Sequence, residues 1–163
     1  MVASLQREPE SAELREIARM FLYGSKTRAG GAEGTNANTI KTANTLEYNS
    51  NAVQKTKAAT DNIAFSAGHT QQAVSTKCIY LVCIDAAGTF STVQGLIVAA
   101  TATPVCPKVP AGLTPVWQIL VETSAAVTFT AGSVDLGDAG VTDDHSDLAW
   151  PDTGGSSFVT AGA

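Results

Sequence analysis

Lysine and arginine stop at Lys108, and the last third of the chain carries no basic residue at all. Residues 1–108 hold ten bases against eight acids, a balance of +2, whereas seven acids from Glu122 to Asp152 leave the remainder at −7. A nucleic-acid partner would need a basic stripe, and none can be drawn here. Charge of either sign is scarce, at 15% of residues, where an average globular chain has about 25%. Histidine occurs twice, at His69 and His145, and cysteine three times, at Cys78, Cys83 and Cys106. An odd number cannot pair fully within one chain, and Cys78 and Cys83, five apart, would face opposite sides of a strand. The three read as reduced thiols made in a cytoplasm, and neither histidine is close enough in sequence to complete a zinc motif. No apolar run approaches the ~20 residues that span a bilayer, and the polar start MVASLQREPES has no secretory h-region.

What fills the chain instead is alanine, threonine, serine and glycine, with 44% apolar residues in all. That is enough for a core. A surface short of charge and rich in small residues is solvated less well than usual, so it suits being covered by neighbouring copies or partners. The acidic end has two readings: it docks on something basic, head to tail or on a lattice, or it keeps a low-charge protein in solution.

Residues 1–24 read as an amphipathic helix. In SAELREIARMFLYGS, Leu14, Ile17, Ala18, Phe21 and Leu22 recur at helical spacing, Ser11 is a natural N-cap and Gly24 a natural stop. Some three turns are marginal alone, so the stripe needs a receiving surface. Residues 25–45, rich in Gly, Thr, Asn and Ala with little to bury, read as a flexible linker or extended arm. Residues 46–148 then break into short strand-like runs, forming a β-domain. LEYNSNAVQKTKA gives one strand or two, and Asn62–Ser66 another. Cys78–Ile84 and Thr89–Val93 flank Asp85-Ala86-Ala87-Gly88, a hairpin signal. Cys78–Ile84 is apolar on both faces and belongs inside a sandwich or barrel. Four prolines over 96–115 exclude a central strand. Val116–Glu122 and Ala126–Thr130 look like a second hairpin, followed by an acidic turn region, and residues 149–163 read as a loose tail. The expected fold is mostly β: an antiparallel sandwich or small barrel preceded by a helix and an arm.

The search for chemistry assembles nothing. Asp144, His145 and Ser146 are adjacent, whereas a catalytic triad converges from separate parts of a fold. His69 sits in a polar loop with only Asp61 as a near acid, and both histidines read as surface loop residues. Asp135, Asp138, Asp143, Asp144 and Asp147 do not have calcium-loop spacing, and solvated turns accepting backbone N–H bonds explain them better. GGAEG at 30–34 is no phosphate loop. Trp117, Trp150, Tyr48 and Tyr80 are candidates for a sugar-binding face. Trp117, however, lies in the apolar TPVWQILV, where core packing is the default, and Trp150 suits an exposed interface anchor. No cofactor, metal or catalytic residue is assigned, and the chain is expected not to be an enzyme.

Four segments in succession, TKAATDNIAFSA (56–67), YLVCIDAAGTFSTVQG (80–95), VPAGLTPVWQILV (109–121) and VTFTAGSVDLGDAGVT (127–142), resemble a group of tailed-bacteriophage virion proteins. The resemblance spans roughly residues 46–148 and rests on turn and strand motifs. It implies a non-enzymatic virion component made in the host bacterial cytoplasm. Most consistent is a capsid decoration (cement) protein on the capsid surface, a homotrimer binding the major capsid protein. A tail or head-fibre component with receptor or glycan binding is the alternative. Interface positions are then expected at Leu14, Ile17, Phe21, Leu22 and Trp150, with no membrane or nucleic-acid partner.

Overall fold

A computed structural model describes residues 22–149, and the regular elements there are ten strands. The chain is mostly β, with antiparallel sheets, and among the described residues no helix is long and apolar enough to cross a membrane. The first strands fall where the linker was expected. β1 (Tyr23–Ser25), β2 (Gly31–Glu33) and β3 (Ile40–Thr42) precede the hairpin of β4 (Leu46–Ser50) and β5 (Val53–Lys57). The main sheet follows: β6 (Thr76–Ile84), β7 (Phe90–Gln94), β8 (Val98–Ala99), β9 (Thr114–Thr123) and β10 (Val141–Asp147). Its order is β10-β9-β6-β7, with β8 paired to the start of β6. A smaller sheet has the order β1-β4-β5, and β2 pairs with β3.

β6 sits centrally because its sequence is apolar on both faces. Cys78, Tyr80, Val82 and Ile84 enter the core, together with Val116, Trp117, Ile119 and Val121 of β9. Opposite them lie Ile40 of β3, Leu46 and Tyr48 of β4, and Ile63, Phe65, Phe129 and Leu136 from connecting loops. On its other face β6 presents Ile79, Leu81 and Cys83, also buried. The proline-rich segment after β8 returns past this sheet, bringing Val105 and Pro107 against Gly95, whose N–H donates to the Ile79 carbonyl (2.8 Å). Cys78 and Cys83 thus face opposite sides, as their spacing required.

The β6–β7 hairpin turns on Asp85, whose Oδ1 accepts the N–H groups of Ala87 and Thr89 (2.8 Å each), with Gly88 left-handed at φ 83°. Its strands begin and end within two residues of the sequence expectation. Elsewhere the sequence reading is corrected. Val116–Glu122 pairs with β10, not with 126–130, which contributes only the isolated Gln72–Phe129 bridge. The region read as an acidic turn therefore contains an edge strand. Asn62–Ser66 forms no strand; Ile63 makes one bridge to Ile40. Pro115 does lie within central β9, at an irregularity where Cys83 faces Pro115 while Val82 faces Trp117, leaving Val116 as the extra residue. A bulge is where a strand tolerates a residue with no N–H. The predicted helix stop at Gly24 falls inside β1; the rest of that helix and the tail from residue 150 lie outside the described residues.

In the β4–β5 turn, Asn51 and Ala52 both have positive φ, 51° and 61°. This two-residue turn matches strand twist but suits Asn-Gly far better than Asn-Ala. Ala52→Gly should therefore stabilise the domain by about 1 kcal/mol, raising the urea midpoint at constant slope. A lower midpoint would contradict this turn geometry.

Candidate interaction surface

Of the five interface positions expected from sequence, one lies among the described residues. Leu22 is 38% exposed, and its carbonyl accepts the Ala52 N–H at 3.1 Å. The next hairpin residue, Val53, is 54% exposed, so two large apolar side chains stand at this end of the small sheet. On the far side of β1, Ser25 forms a parallel bridge with Ala149. Because that bridge is parallel, the chain leads back towards Phe21, Ile17 and Leu14 from the Tyr23 end of β1 and on towards Trp150 from its Ser25 end. Those four residues are themselves outside the described part.

The second polar feature is β10. Pairing with β9 sets Asp143 beside Val121, His145 beside Ile119 and Asp147 beside Trp117, so all three polar residues lie on the core side of an edge strand. Asp147 anchors the β2–β3 hairpin, its carboxylate accepting the N–H groups of Gly30 (3.0 Å) and Gly31 (3.4 Å). His145 Nε2 lies 3.0 Å from Asp143 Oδ2, while Nδ1 is buried without a partner. The arrangement fits a neutral ring that donates from Nε2 and leaves a bare lone pair on Nδ1. Burial lowers the His145 pKa below its ordinary value, against the raising influence of Asp143, Asp144 and Asp147. His69 is also lowered by burial: it packs edge-on to Tyr80 and Phe65 and sits 2.7 Å from Thr92 Oγ1. Neither histidine is the surface loop residue expected; one is in a strand and both are half-buried.

This has a pH consequence. The unfolded chain binds protons at these histidines more readily than the folded one, so stability rises with pH across their titration. The contribution is complete above the ordinary value of 6.5 and is lost as pH falls below it towards the lowered folded values. Thermal unfolding should therefore shift downward between about pH 6.5 and pH 5, and His69→Gln/His145→Gln should flatten that slope. An equal slope in the double variant would assign the effect elsewhere.

Among the described residues, the acids and hydroxyls near the histidines in sequence do not converge on them as a triad. Asp144 and Ser146 point to the opposite face from His145 by strand alternation. Asp61, the acid nearest His69 in sequence, accepts instead from the backbone N–H (3.0 Å) and hydroxyl of Thr35. Asp138 caps the N–H of Ala139 (2.7 Å), as a turn aspartate does. Among the described residues no three His, Cys, Asp or Glu side chains gather as metal ligands. Tyr48, Tyr80 and Trp117 are buried and form no sugar-binding face. The thiols are unpaired, and burial pushes Cys78 up to about 11 and Cys83 to about 12, far from thiolate reactivity. Sequence reasoning missed the inward acids of β10 and the seat that Gly31 makes for Trp117. Their only sequence signal was a polar run ending beside the C-terminal Trp-Pro. Compared with family models, with curated proteins and with solved structures, the chain matches none.

Proposed function

We propose that this chain is a non-enzymatic virion structural protein, a capsid decoration protein whose β-sandwich head associates with its own copies and whose terminal arms bind the head lattice. The observation that carries the reading is the pair of exposed apolar side chains, Leu22 and Val53, at the end of the small sheet where the chain enters β1. An apolar patch continuous with the amphipathic N-terminal segment gives a small domain one contact to repeat, and many such contacts repeated by symmetry add up through avidity. The motifs that resemble phage virion proteins support the same reading by where they lie. DAAGT makes the β6–β7 turn, PAGLTP leads into β9, and VTFTAGSVDLGDAGVT carries the chain from the core residue Phe129 to β10. These positions serve folding and surface shape.

The test is quantitative mass spectrometry of purified virions. A ratio near one copy per major capsid protein is expected, and a few copies per hundred would move the protein to tail, neck or vertex. Removing residues 1–20 leaves β1 intact and should abolish binding to capsids lacking the protein. Undiminished binding would take the arm out of the interface.

A further inference from the structure

Between Asp85 and Glu122 the only charged residue is Lys108. This stretch supplies β7, β8, the proline-rich return and most of β9. It also carries Leu96, 74% exposed, and Val105, 59% exposed, more than any other large apolar side chain among the described residues. The two belong to one patch. Gly95, whose N–H donates to the Ile79 carbonyl (2.8 Å), has the Val105 carbonyl oxygen 3.1 Å and Pro107 Cδ 3.4 Å from the place a Cβ would take. The return therefore lies on the strand end that presents Leu96. Cross-strand partners share a face, so this is the Ile79 side of the sheet, away from the main core. An apolar patch of this kind, in a stretch almost free of charge, marks a contact surface.

The chain also carries an apolar stripe in need of a receiver. Leu14, Ile17 and Phe21 share a helical face by their spacing and lie outside the described residues. They join the fold through Leu22, and the surfaces beside β1 are polar. The outward side of β4–β5 presents Glu47, Asn49, Gln54 and Thr56, and that of β10 presents Thr142, Asp144 and Ser146. Nor can the stripe cover Leu96 and Val105 of its own chain. Leu148 N–H donates to the Val116 carbonyl, so Ala149 turns its main chain away from β9, and its bridge to Ser25 sets β1 beyond the β10 edge. β7 ends the strand order on the opposite side. From β1 to β7 is four strand spacings, roughly 19 Å. Phe21, two residues before Tyr23, stays within about 7 Å of it.

We infer that the N-terminal stripe of one copy docks on the Leu96–Val105 face of the next. A face that its own chain cannot cover with this stripe, and a stripe that its own chain cannot receive there, complement each other between copies, as apolar anchors at helical spacing do on an apolar surface. The lack of charge on the face suits this occupant, because Glu13, Arg15, Glu16 and Arg19 fall mostly on the other side of the helix and stay in water. The contact uses two different patches on each copy, so it closes into a ring when the rotation permits and otherwise extends. It specifies the self-association in the proposed function and does not depend on the virion assignment.

Sedimentation velocity of the full chain tests it. The wild type should self-associate, and Leu96→Asp/Val105→Asp and Ile17→Asp/Phe21→Asp should each weaken association by at least about tenfold. Mixed in equal amounts, the two variants should form a one-to-one complex and nothing larger, because the intact stripe of the first meets the intact face of the second. Circular dichroism separates lost contacts from lost folding; if the aspartates unfold the domain, Leu96→Ser/Val105→Ser carries the same test. A wild-type monomer at every concentration would overturn the inference. So would loss of association in the face variant alone, which would pair the face with itself or with the C-terminal segment. A mixture of folded variants that stays monomeric would overturn it too. The copy number in virions is measured separately, so either reading can fail alone.

Discussion

Gly31→Ala should destabilise the domain by about 1–3 kcal/mol, although it adds one methyl group to a residue that is not deeply buried. A Cβ at this position would fall 2.6 Å from Trp117 Cδ1 and 2.7 Å from Cγ and Nε1. The β2 backbone lies directly on the indole, and the indole cannot move aside. It is fully buried, with Phe90 edge-on at 5.9 Å between ring centroids and the core residues of β6 and β4 around it. The hairpin cannot lift off cheaply either, because Asp147 holds the N–H groups of Gly30 and Gly31. The cost should therefore depend on the indole. In a Trp117→Leu background the added methyl has room, and Gly31→Ala should become nearly neutral, a coupling on the order of 1–2 kcal/mol in a double-mutant cycle. Urea unfolding followed by circular dichroism measures it. Additive effects would mean that the glycine serves something other than close approach to Trp117.

The same contact explains why an edge strand carries inward acids. β10 cannot be covered by apolar side chains along its whole length, since the β2–β3 hairpin meets it with main-chain N–H groups. Asp147 satisfies two of them, where leaving a buried N–H unpaired costs about 1–3 kcal/mol. Asp143 then takes the imidazole of His145, and the strand that results is polar on both faces. On β5, Lys57 lies along the β6–β7 turn, with Cδ 3.5 Å from where a Gly88 Cβ would be.

The central features of the fold were legible because they follow simple rules. β6 is apolar on both faces and so is central, Asp85-Ala-Ala-Gly is a turn by composition, and Trp117 in an apolar strand is core. β10 was not legible, because a strand with Asp, His and Asp facing inwards shows no hydrophobic alternation, and the period-two signal depends on that alternation. Its place is fixed by long-range pairing with β9, which no local window contains. The false hairpin of 126–130 has the reverse cause: Phe129 is a core residue and Val127 packs against the core, but both reach it from a loop. Of the expected interface, Leu22 alone falls among the described residues, where it is partly exposed.

The segment 25–45 gives the second large effect. By composition it is a linker, and if it were one, Ile40→Ala would change stability by less than about 0.5 kcal/mol, as exposed substitutions do. In the fold Ile40 is completely buried and is among the largest side chains without solvent contact. Its N–H donates to the Ile63 carbonyl (3.0 Å) and its carbonyl accepts from Ile63 (2.7 Å), while the Thr42 N–H donates to the Thr60 carbonyl (2.9 Å) and the Thr42 hydroxyl accepts the Thr60 N–H (2.9 Å). One isoleucine thereby docks β3 on the loop that carries Phe65 into the core. Truncation leaves a cavity bounded by strands that cannot close upon it, and the expected loss is about 2–5 kcal/mol. Ile40→Val should cost only about 0.5–1.5 kcal/mol, which separates packing from any backbone effect. Urea midpoints of the two variants decide the matter: a graded loss makes residues 25–45 part of the head, whereas two wild-type values would return them to the arm.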